Sequence, residues 1–269
     1  AHDTLDTRFE AFSHFLQQDD WDLFFGVFMT TDRVNHFLFK DYERDGENKD
    51  AFMDFYRKVD DYVGQIREML DDDVTLVVAS DHGFTSLDYE VHCNAWLQEE
   101  GWLSFEDDDH DDLTDIAEES RAYSLIPGRF YINLEGREPR GSVPEDEYEE
   151  TRAELKAALE ALEGPDGKKV CARVVEKEDA FRGAHDDIAP DLVAIPNHGF
   201  DLKSGFKGHD EVFDVGPRNG MHSFDNATLF VDDPNVRIED ADLFDIAPTV
   251  LDLMDVEYDR ADFDGRSLV

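Results

Sequence analysis

Strand-length apolar runs alternate with amphipathic helical stretches along this 269-residue chain, and that alternation restricts its fold more than any other feature. "WDLFFGVFM" at 21–29 and "VTLVVAS" at 74–80 are near-continuous apolar runs, the pattern of strands covered on both faces. A helix is read over 5–18, with Leu5, Phe9, Phe12, Phe15 and Leu16 on one side. "TTDRVNHFLFKDY" reads as a helix entered directly from the first strand. Phe52, Phe55, Val59, Val63, Ile66 and Leu70 recur at helical spacing within 51–70. Further strands are expected at 171–175, 191–195 and 227–231, with helices at 94–103 and 145–163 and a last one over "DLFDIAPTVLDLM". The pattern predicts one layered α/β/α domain over residues 1–269 with a largely parallel central sheet. An acidic loop at 105–120 and a hairpin at 121–141, turning at Pro127–Gly128, are set on it.

The 21 phenylalanines and 41% apolar residues suffice for a substantial core, which excludes a disordered acidic tail. Asp and Glu number 67 against 25 Lys and Arg, a net charge of −42. Such a surface repels nucleic acid and anionic membranes, so neither is expected as a partner. The acid is spread over helices and loops alike. That distribution suits a halophilic cytoplasm, where molar salt shortens the Debye length to about 3 Å, better than a specialised binder of cations or basic partners. No apolar stretch is long enough to span a bilayer and no signal peptide is evident. Cys93 and Cys171 make no disulfide framework and read as ordinary buried thiols.

The chemistry is expected where strands end. Asp32 and His36, four apart on a helix, fall on one face with Cβ atoms about 6 Å apart. Asp81 and His82 stand where the second strand stops, and Gly83 frees the backbone to bend. His222, in "GPRNGMHSFDN", precedes the strand at 227–231. Each pair alone is more often a surface pair than a ligand set. Their common position at strand ends makes them candidates for Zn²⁺ or Mn²⁺. His92 and Asn94 are candidates to line a substrate pocket, although a helix cap explains Asn94 equally well. Arg121, Arg129, Arg137 and Arg140 crowd the hairpin, where salt bridges to nearby acids are favoured over steering of a phosphate. His110 lies in the acidic surface loop, where a cation could touch it, His198 reads as structural or as a distant pocket wall, and His185 and His209 read as surface residues.

Asp-x-x-x-His after one strand, Ser-Asp-His-Gly after another and Gly-x-His near the end together resemble the alkaline phosphatase superfamily. The closest likeness is to its type I phosphodiesterase/nucleotide pyrophosphatase branch. "APDLVAIPNHGF" at 189–200, the Asp-x-x-Pro-Thr helix and the Asp-Gly-Arg-Ser-Leu tail are similar to that branch too. The resemblance runs from about residue 20 to the end. It implies hydrolysis of a small phosphate ester by two divalent ions about 4 Å apart and a Thr or Ser nucleophile, through a covalent phospho-enzyme. Carried over, Asp32, His36 and His222 hold one ion and Asp81 and His82 the other. The family completes the second ion with an N-terminal Asp and the nucleophile itself. Neither has a counterpart here: Thr30, Thr31, Ser80, Thr85 and Ser86 lie near the strand ends but not at the nucleophile's place. The chain opens as if within a helix, so an N-terminally incomplete domain is expected, its nucleophile upstream of residue 1. Alternatives are an inactive metal-binding fragment or pseudoenzyme, a phosphomonoesterase or phosphoglycerate mutase of the same superfamily, and an acidic cation buffer with no defined site. No Cys-x-Pro-x-Arg or Ser-x-Pro-x-Arg segment supports a sulfatase.

Overall fold

The computed structural model of the protein describes every residue except 19, 108, 184, 209 and 210. Helices α1 (His2–Leu16), α2 (Thr30–Glu43) and α3 (Lys49–Met69) come first. Strands β1 (Val77–Ala79), β2 (Gly83–Ser86) and β3 (Tyr89–His92) lead into α4 (Cys93–Glu99). Then come β4 (Ala122–Ile126), β5 (Arg129–Ile132) and α5 (Tyr148–Ala161). They are followed by β6 (Cys171–Glu176), α6 (Lys177–Ala180), β7 (Leu192–Pro196) and β8 (Phe200–Lys203). Strands β9 (Phe213–Asp214), β10 (Gly220–Ser223) and β11 (Leu229–Val231) precede α7 (Ile246–Leu253). Packing divides the chain into two compact units, Ala1–Thr85 with His222–Val269, and Ser86–Met221.

The first unit is built on α1, α2 and α3. Their apolar stripes meet in a cluster of Leu5, Val34, Phe52 and Phe55, flanked by Phe28, Phe39, Val59 and Tyr62. Polar bonds fix the helices in register. The Tyr62 hydroxyl donates to Asp6 at 2.8 Å while its ring stacks on Phe9 at 3.9 Å. The Tyr56 hydroxyl donates to Asn35 at 2.8 Å and so pins α2 to α3. Strand β1 pairs antiparallel with β11. The C-terminal motifs seal the unit. Thr249 Oγ1 donates to the Asp245 carbonyl at 2.6 Å and accepts the Leu268 N–H at 3.0 Å. The Asp245 carboxylate accepts the N–H groups of Asp242 and Arg266 at 3.0 and 2.8 Å. Gly265 is required there, because a Cβ would lie 2.1 Å from the Phe244 carbonyl oxygen.

The second unit holds a four-stranded sheet in the order β4-β5-β7-β6, antiparallel throughout. A second sheet, β8-β3-β9, pairs β3 parallel to β8 and antiparallel to β9. Leu97, Phe130, Ile132, Leu155, Leu159, Leu192 and Phe200 are among the residues of its core. Leu155 and Leu159, one turn apart on α5, present the helix's apolar stripe. The hairpin arginines meet acids as the sequence suggests: Arg121 with Glu154, Arg137 with Asp191 and Glu138, and Arg140 with Glu106. Arg129 instead donates to the Pro127 carbonyl. Burial pushes both cysteine thiols up to about 12, so they stay protonated and unreactive at neutral pH.

The fold is mixed α/β, but the expected parallel central sheet is not what the described residues form. Their sheets are small and largely antiparallel. The reason is visible at β4 and β5, where the short Pro127–Gly128 connection leaves no room for the crossover a parallel pair requires. Residues 21–29 likewise join no ladder among the described residues. Alternate side chains turn two ways. Phe24 and Phe28 pack on Phe12 of α1, whereas Leu23, Phe25, Val27 and Met29 are 55%, 85%, 44% and 54% exposed. The period of two is that of a strand, and one of its faces lies in solvent.

Candidate metal centre

Asp32 lies in the first turn of α2, where the helix dipole favours a carboxylate. Its Oδ1 is the hub of the site. His222 Nε2 stands 3.1 Å from that oxygen, His36 Nε2 3.5 Å and His82 Nε2 3.9 Å. Helical spacing delivers His36, the turn after β1 delivers His82, and β10 delivers His222. Single donor atoms of Asp32, His36 and His222 all lie within 4.8 Å of one another. Among the described residues theirs is the group of three or more that meets this spacing. One carboxylate and two imidazoles from three directions suit a borderline divalent cation.

The imidazoles are packed ring against ring, and His82 is also tied to the backbone. The rings of His82 and His222 stack at 3.7 Å, and those of His36 and His222 approach to 4.9 Å. Phe84, 6% exposed, forms an apolar floor whose ring lies 5.1, 5.5 and 5.2 Å from those of His36, His82 and His222. His82 Nδ1 faces the Gly83 carbonyl at 3.1 Å. A proton on that nitrogen leaves the Nε2 lone pair toward Asp32, the tautomer a ligand needs. Asp81 Oδ1 lies 3.6 Å from His82 Nε2, and its side chain is 81% exposed. Asp81 and His82 thus pair, without a third ligand of their own within 4.8 Å among the described residues.

Burial and the neighbouring His82 imidazole hold His222 below the ordinary histidine value of 6.5, against the pull of Asp32. The folded protein therefore keeps this ring neutral where the unfolded chain protonates it. The stability so contributed is present above pH 6.5 and is lost as pH falls through the folded value. Metal binding shares the sign, because a proton on the imidazole displaces the ion. Zinc titrations at fixed high salt should give constant affinity from about pH 8 to 7 and a steep loss below about pH 6. An affinity flat down to about pH 5 would exclude imidazole ligands.

The other candidates fall in the second unit. His92 is buried at the N-cap of α4. Asn94 is buried too, and its side chain does not cap the helix. Its amide donates to the carbonyls of Ser124 and Gly205, and its oxygen accepts the Ser124 N–H at 2.8 Å. His110 stacks flat on Phe105 and bonds the Phe206 carbonyl. His185 and His198 are exposed, and His209 lies outside the described residues. Phe84 and Asn226 escaped the sequence reading. A lone aromatic and a lone amide carry no spacing signal, although both sit beside ligand motifs, in "DHGF" and "HSFDN".

The protein is thus mixed α/β, with Asp32, His36 and His222 close enough together to hold one metal ion. The model of the type I phosphodiesterase/nucleotide pyrophosphatase family matches residues 1–225, and the chain belongs to that family. No curated protein matches it. A solved structure, human ectonucleotide pyrophosphatase/phosphodiesterase 5, is similar over 85% of this chain at 15% identity, with a TM-score of 0.45. The chain spans 52% of the length of that human protein. No helix among the described residues is long and apolar enough to cross a membrane.

Proposed function

We propose that this chain carries the metal-binding part of a hydrolase of small phosphoric esters, acting on phosphodiester or pyrophosphate bonds. The observation behind the reading is the fan of three imidazoles around Asp32 Oδ1, in a chain of this family. Asp32, His36 and His222 hold one divalent ion, zinc or manganese. Asp81 and His82 contribute to a second. Bound there, such ions polarise a phosphoryl oxygen and acidify a hydroxyl nucleophile. The chain's own part is to fix the ligand directions: Phe84 excludes water beneath the rings, and the Gly83 carbonyl sets the His82 tautomer.

The Thr or Ser nucleophile and the remaining ligand of the second ion are proposed to come from a segment outside residues 1–269. The rim hydroxyls already have other duties. Thr31 Oγ1 donates to the Phe28 carbonyl, Ser80 Oγ accepts the Thr228 N–H, and Thr30, Thr85 and Ser86 are buried. Residues 21–29, which join no ladder among the described residues and lead into the helix bearing Asp32, support an additional strand at this place. The same observations support metal binding without turnover as the second reading. His92 and Asn94 remain proposed substrate-side residues. The net charge of −42 supports a protein of a saline cytoplasm, with no role in nucleic-acid binding.

Metal content after exhaustive dialysis into metal-free, high-salt buffer tests the site. About one zinc or manganese per chain is expected to remain. His36→Ala and His222→Ala should each release it with the circular dichroism unchanged. Unchanged stoichiometry in both variants would leave only diffuse binding by surface acids. Hydrolysis of bis-(p-nitrophenyl) phosphate by the metal-loaded protein then separates turnover from binding alone.

A further inference from the structure

We propose that Asn226 is the positioning residue that holds the His82 and His222 rings together, by clamping the two backbone segments that carry them. The role in metal binding rests on the metal-site reading above; the clamp itself rests on geometry. Asn226 Nδ2 donates to the Phe84 carbonyl at 2.7 Å, and its Oδ1 accepts the hydroxyl of Ser223. One side chain therefore ties the residue two beyond His82 to the residue next to His222. A second tie closes the other end. The Ser80 N–H donates to the Thr228 carbonyl at 2.9 Å, and the Thr228 N–H donates to Ser80 Oγ at 2.8 Å. Asp81 and His82 lie between these fastenings.

Gly83 belongs to the same device. A Cβ built on it would lie 1.6 Å from Asn226 Oδ1 and 2.7 Å from Ser223 Oγ. The amide thus occupies the space that any other residue at position 83 would fill, and the two backbone segments approach closely because that position lacks a side chain. The consequence is read in the rings. His82 and His222 stack at 3.7 Å with both Nε2 atoms on Asp32 Oδ1, at 3.9 and 3.1 Å. A metal site tolerates displacements of only about half an ångström before affinity falls, so the Asn226 side chain, added to the pairing of β2 with β10 and to the Ser80–Thr228 tie, acts directly on the ring positions.

Two measurements on the full chain test the clamp. In metal-free protein, nuclear Overhauser contacts between the His82 and His222 rings are expected in the wild type and should disappear in Asn226→Ala. Zinc titration should then show affinity about 10–100-fold weaker in Asn226→Ala at unchanged stoichiometry, the range of supporting residues around metals. Gly83→Ala should weaken zinc similarly. In the Asn226→Ala background it should add less than in the wild type, because the nearest atom it strikes has gone and only Ser223 Oγ, at 2.7 Å, is left to give way. The metal-free unfolding midpoint separates a local effect from general loss of structure. Ring contacts and zinc affinity both unchanged in Asn226→Ala would overturn the proposal. A wild type that binds no zinc would sink the metal-site reading instead, and the ring contacts would still decide the clamp.

Discussion

Asp32→Asn should abolish tight metal binding, weakening zinc affinity by about a thousandfold, or ~4 kcal/mol. The substitution keeps the shape of the side chain and removes its charge. Asp32 contributes the one oxygen that all three imidazole Nε2 atoms approach, from 3.1 to 3.9 Å. An amide oxygen in that place is a neutral and poorer ligand. The imidazoles alone then face an ion with no anion to balance it. Loss of either histidine leaves the hub intact, so Asp32→Asn should exceed His36→Ala or His222→Ala in effect. Thermal unfolding offers a second measure. Zinc at a hundred times its dissociation constant should stabilise the wild type by about 2.7 kcal/mol and leave Asp32→Asn where it was. An equal zinc-induced rise in both proteins would place the ion elsewhere, among the surface acids.

The proposed ligands stand out in the sequence because each lies in a short pattern with a mechanical meaning. Asp32 and His36 sit one helical turn apart, and the structure brings both to one side of α2. Asp81 and His82 end a strand, as the apolar run before them predicts. Helices α1 and α3 follow their apolar spacing closely. The sheet was less legible, because an apolar run announces burial and not a partner. Residues 21–29 read as a central strand, yet their ladder depends on a neighbour that no local pattern specifies. The direction of pairing is set by connections such as Pro127–Gly128, and periodicity is blind to it. Phe84 and Asn226 were missed for a related reason. Their roles come from contacts with residues far away in sequence, Phe84 with His222 and Asn226 with Phe84 and Gly83.

Asp191, within "APDLVAIPNHGF", is expected to hold the second unit together. Its side chain is fully buried and accepts four hydrogen bonds: from Arg137 Nη1 and Nη2 at 2.8 and 2.6 Å, the Tyr148 hydroxyl at 2.7 Å and the Ile132 N–H at 2.7 Å. Burial and the adjacent carboxylate push the Tyr148 hydroxyl far up, so it remains a donor at working pH. Asp191→Ala strands the Tyr148 hydroxyl and the Ile132 N–H, and leaves the partly buried Arg137 guanidinium only Glu138 and the Ile132 carbonyl. Breaking such a pair from one side costs about 3–5 kcal/mol, a fall in unfolding temperature of roughly 6–20 °C for a protein of this size. Glu154→Gln is the control. It removes the exposed partner of Arg121, a pair worth about 0–1 kcal/mol and weaker still in molar salt. The contrast should persist as salt is raised, since counterions reach Glu154 but not Asp191. Equal losses in the two variants would mean that the chain's many surface ion pairs, rather than this buried one, carry its electrostatic stability.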